Sequence, residues 1–77
     1  MTRAQAWRLL GAPDEQVGSA NEPRVVEERG FNWNEKWLHR AAAGRAERVV
    51  LWNRADLVGI FEVDSDGAWQ PLVLPEA

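Results

Sequence analysis

Cysteine is absent from this chain, and so are tyrosine and any run of eighteen apolar residues. Without cysteine there is no disulfide framework, no thiolate metal site and no thiol redox chemistry, so packing alone has to hold the fold. Without a long apolar run there is no candidate membrane-spanning helix. The opening Met1-Thr2-Arg3-Ala4-Gln5 has neither an apolar h-region nor a cleavage pattern, which makes a cytoplasmic location the expectation unless a signal segment has been removed. Histidine occurs once, at His39, so a zinc site built on a histidine pair is excluded. A glycine-rich phosphate loop is also missing. No metal and no cofactor are expected.

What is there describes a folding chain. Of 77 residues, 45% are hydrophobic and 27% charged, a balance unlike that of disordered sequences. The length suits one domain, residues 1–77, with one small core, because chains of this size bury only a little over ~60% of their unfolded surface. Five tryptophans supply the compensation, each able to bury about 150–250 Å². The net charge of -3 is unevenly spread: residues 31–54 are basic and 55–77 are acidic. Opposite charges on adjacent strands pair favourably across a sheet.

Thr2 and Gln5 stand at capping-box spacing before Ala6, Trp7, Leu9 and Leu10. Gly11 and Pro13 then stop the chain, which predicts a helix at about 3–11. Residues 12–30 are turn-rich and polar and read as a variable loop. In 34–44, Asn34 and Gly44 could bound a helix, whereas Phe31, Trp33, Trp37 and His39 recur at period two, as a strand requires. The residues leave both readings open. Beyond them, Glu47 to Asn53 and Leu57 to Val63 are β-rich runs joined by the turn residues 53–56. Asp64-Ser65-Asp66-Gly67 makes a second turn before a last strand in 68–74, where Pro71 suits a sheet edge.

No residue set points to catalysis. His39 could pair with Glu35, but Ser19 and Ser65 lie in turn-rich segments, Thr2 is a helix cap, and no other nucleophile accompanies them. Glu62, Asp64 and Asp66 begin like a calcium loop without the acid that would complete one. The basic stretch interleaves Lys36, Arg40, Arg45, Arg48 and Arg54 with Trp33, Trp37 and Trp52, the mixture used by single-stranded nucleic acid grooves. The negative net charge weakens that alternative.

The opening Met1-Thr2-Arg3-Ala4-Gln5, running into Leu9-Leu10-Gly11-Ala12-Pro13-Asp14, resembles the start of the SmpA/OmlA (BamE-like) family, whose fold is similar to each half of the β-lactamase inhibitor protein. Glu35-Lys36-Trp37-Leu38-His39 takes the place of that family's aromatic strand, and 49–60 looks like its hairpin. His39 stands where tyrosine is usual, and the lipidated cysteine of the family's lipoproteins has no counterpart. The resemblance covers about 2–63. It implies a strand over 31–40, an adaptor or inhibitor-like role, and no enzymatic activity.

The expected fold class is therefore α+β, a short N-terminal helix packed on a three- to four-stranded antiparallel β-meander spanning 31–74. Strand alternation turns Trp33, Trp37, His39, Val50 and Trp52 toward the helix. A single short helix covers one sheet face, which leaves Leu38, Val49, Leu51 and Phe61 outward, rimmed by Lys36 and Arg40 and flanked by Trp69. Apolar patches of this kind mark association surfaces unless the tail or the 12–30 loop folds over them. The expected function is non-enzymatic binding of another protein, or of a second copy, through that face or at a sheet edge.

Overall fold

The computed structural model describes residues 1–74. Helix α1 (Arg3–Leu10) starts as its sequence predicts: the Gln5 N–H donates to Thr2 Oγ1, and the Thr2 N–H donates to Gln5 Oε1. Gly11, at φ 82°, ends it and donates its N–H to the Trp7 carbonyl, as a glycine C-terminus does. Ala6 and Leu10, one turn apart, are the buried residues of α1, while Trp7 and Leu9 are exposed.

Seven strands follow: β1 (Glu15–Gly18), β2 (Val26–Glu28), β3 (Phe31–Trp33), β4 (Glu35–His39), β5 (Arg48–Asn53), β6 (Asp56–Val63) and β7 (Trp69–Pro71). Five of them form an antiparallel sheet in the order β1-β4-β5-β6-β7, and β2 pairs with β3 in a separate two-stranded ribbon. The meander from β4 to β7 is the expected one, and Pro71 lies in the terminal strand of the sheet. The α+β class holds, with more strands than the sequence suggested.

Two expectations are corrected. Residues 12–30 are not a plain loop, since they contain β1 and β2. Short, solvent-exposed strands of mixed polar residues carry almost no alternation to read. Nor do residues 31–40 form one strand: the chain breaks at Asn34, so Trp33 belongs to the ribbon and Trp37 to the main sheet. Asn34 is buried, its N–H donating to the Trp52 carbonyl, its Nδ2 to the carbonyls of Ala20 and Glu22, and its Oδ1 accepting the Arg54 N–H. These bonds satisfy polar groups that burial would otherwise leave costly, and they redirect the chain between the two sheets.

The sheet is consequently covered on both faces. On one side α1 packs Ala6 and Leu10 against Trp37, Val50, Trp52 and Ile60. On the other, the ribbon lays Phe31 and Trp33 over Val49, Leu51 and Phe61. A bulge between Leu51 and Trp52 pairs Leu51 with Gly59 and Trp52 with Leu57, and the extra residue, Val58, packs on the ribbon side with Val63. One inserted residue inverts the alternation, so Leu57 joins Ile60 on the helix side instead of Phe61. Gly59 has no room for a Cβ, which would meet the Phe61 ring at 2.6 Å. The aromatic ring covers the glycine's bare backbone from its own strand.

Candidate functional site

The residues expected to form an exposed patch divide sharply. Leu51 is 0% exposed, Val49 2% and Phe61 4%, so these three are core, not a docking face. The β2–β3 ribbon covers them because its two-residue turn closes tightly: Arg29 (φ 53°) and Gly30 (φ 85°) both take the positive φ that such hairpins require. Phe31 stacks on Phe61 at 4.9 Å, and Phe61 lies 5.4 Å from Trp69. Lys36 fastens the ribbon instead of facing a partner, with Nζ 2.9 Å from Glu28 and 4.9 Å from the Trp33 ring centre. The Arg29 guanidinium sits over Trp69 at 4.9 Å. Leu38 and Trp69 are half-buried, and Arg40 is exposed, 4.0 Å from Glu15.

The aromatic-basic stretch does not present its rings either. Trp33, Trp37 and Trp52 are all buried, so no base could stack on them without disrupting the core. Arg48 pairs with Glu62, and Arg54 Nη1 donates to the Glu22 carbonyl at 2.8 Å. Glu35 and His39 make separate structural contacts. Glu35 accepts from Arg3 Nε at 2.7 Å and from Trp37 Nε1 at 3.0 Å, while His39 Nε2 bonds the Gly11 carbonyl at 3.0 Å. Among the described residues, no group of three or more His, Asp or Glu side chains is placed to hold a metal ion, and no helix is long and apolar enough to cross a membrane.

What remains open is the β1 end of the sheet. All four β1 residues are exposed, and β4 is the neighbour on one side only. The opposite end is blunted, because β7 is three residues long and contains Pro71, which has no N–H to offer. Each face of β1 borders a hollow. Gln16, opposite Trp37 in the register, turns to the helix side, where it lines a 610 Å³ pocket with Arg3, Ala4, Trp7, Arg8, Glu35 and Trp37. Val17, opposite Lys36, turns to the ribbon side and lines a 110 Å³ hollow with Val26 and Trp33.

Trp7 is the most telling residue of the larger pocket. It is 42% exposed, and its ring meets Trp37 edge-on at 5.6 Å. Arg3 forms the back wall, held by Glu35 and lying 4.8 Å over the Trp52 ring. The sequence grouped Trp7 with Ala6, Leu9 and Leu10 as the apolar residues of the helix and did not single out Arg3, Arg8, Gln16, Val17 or Val26. Trp7 lies about 100° from Ala6 and about 60° from Leu10 around the helix, at the margin of the buried face, so spacing alone leaves its burial undecided.

No known family model matches the chain, and neither characterised proteins nor solved structures gave a significant match.

Proposed function

We propose that this chain is a non-enzymatic protein-binding module that takes an extended segment of its partner as an added strand along β1. The observation that carries the reading is an exposed, proline-free terminal strand with a hollow on each face. Strand addition draws affinity from backbone hydrogen bonds and specificity from pockets for alternate side chains. An exposed Trp beside arginines is also the composition of binding hot spots. The resemblance to SmpA/OmlA domains supports the same role, because domains of that family act as adaptors and, in the inhibitor protein, as binders of an enzyme.

The test is selection of peptides from a random library on the immobilised chain, followed by amide hydrogen exchange of the complex. Selected peptides are expected to be extended and to slow exchange in Glu15–Gly18. Val17→Lys, which places a charge at the edge, is expected to abolish capture without unfolding the chain. Peptides that protect other elements and ignore Val17→Lys would refute the edge as the binding site.

A further inference from the structure

We infer that the segment accepted at β1 is acidic and aromatic, with an aromatic side chain and flanking carboxylates turned to the helix side and small residues turned to the ribbon side. This rests on the strand-addition reading above. A strand laid beside β1 sends alternate side chains to opposite faces, so the two hollows read different positions of the same segment. Their sizes differ several-fold: 610 Å³ admits an aromatic ring, whereas 110 Å³, lined by Val17, Val26 and Trp33 beside Glu22 and Arg24, admits only a smaller side chain. The exposed Trp7 ring offers an aromatic guest an offset or edge-on contact.

Charge completes the pattern. Arg3 is already engaged by Glu35, but Arg8 makes no ion pair among the described residues. The charge left over at this pocket is thus positive, and a carboxylate is its complement. The same charge argues against a second copy of this chain as the occupant. Antiparallel pairing of two β1 edges about a two-fold axis would put both helices on one side of the joined sheet and bring two arginine-bearing rims together, at a cost in like-charge repulsion.

The experiment uses the ¹⁵N-labelled full chain and three capped hexapeptides. The first is Glu-Ala-Phe-Ala-Glu-Ala, the second its isomer Ala-Glu-Phe-Glu-Ala-Ala, and the third Lys-Ala-Phe-Ala-Lys-Ala. The first is expected to shift the amides of Glu15–Gly18 and the Trp7 indole and to bind at least about tenfold more tightly than the others. Trp7→Ala is expected to lose about tenfold, and Arg8→Glu to transfer the preference to the lysine peptide; both positions are exposed, and an unchanged thermal melt checks the fold. If all three peptides shift the β1 amides with equal affinity, strand addition stands and this specificity is overturned. If none shifts them, both are overturned.

Discussion

Asn34 shows how much one side chain can organise. Its amide bridges the 20–22 segment to the β5–β6 turn, where Arg54 holds φ 58°, a backbone region uncommon outside glycine. Asn34→Ala leaves the Arg54 N–H without its acceptor and takes one of two donors from each of the Ala20 and Glu22 carbonyls, and denaturant melts are expected to show a loss of about 1–3 kcal/mol. Trp37 touches Trp7 and Trp52 and is buried, so Trp37→Ala is expected to cost about 3–5 kcal/mol. A variant melting within a few degrees of the parent would contradict that placement. At the β6–β7 turn, Asp64 accepts from Gln70 Nε2 and from the Ala68 and Asp66 amides. The Gln70 bond first, then the Ala68 amide, hold its carboxyl below the usual 3.8. A depressed acid pKa stabilises the fold above the unfolded value and ceases to do so as pH falls through the folded one. Carboxyl NMR titration should therefore place the Asp64 midpoint below 3.8, and Gln70→Ala should raise it.

At the scale of elements, the β2–β3 ribbon decides what the sheet can do. It has only six strand residues, yet Phe31, Trp33, the Lys36–Glu28 pair and the Arg29–Trp69 stack tie it over the face opposite α1. The apolar residues that would have formed a sticky surface are spent inside the molecule. Leu51→Lys puts an uncompensated charge into this second core, and the expected outcome is loss of cooperative unfolding and of dispersed amide signals. A folded Leu51→Lys chain would mean that the ribbon lifts away. β1 is the contrasting element, joined to the sheet along β4 and buried nowhere. Its residues can accept a partner at little cost to the core.

For the whole molecule, coverage of both sheet faces removes the self-association that an open apolar sheet face would have driven. The edge still open bears arginines on its rim, and the net charge is -3. Sedimentation across concentration is expected to show a monomer, since a paired β1 edge would have to overcome like charge with only four residues a side. A dimer that Arg8→Glu strengthens would identify β1 as the seam and replace the hetero-partner reading with self-pairing.

The amino-acid sequence by itself determined the helix with its capping box and glycine stop and the meander from β5 to β7, while residues 34–44 were compatible with a helix as well as with the strand β4 that places Trp37 on the helix side with Val50 and Trp52. Local spacing and turn chemistry encode the helix and that meander within a few residues. Only the tertiary structure decided that β1 and β2 are strands, because four exposed residues carry no periodicity to read. It also decided that Asn34 splits the strand, that a bulge reverses the faces around Val58, and that the ribbon buries Val49, Leu51 and Phe61. Alternation tells which residues share a face, but what covers that face depends on contacts between distant segments. The candidate site was illegible for the same reason: Trp7, Arg8 and Gln16 come together on one face, and Val17 meets Val26 and Trp33 on the other, only when β1 is paired to β4.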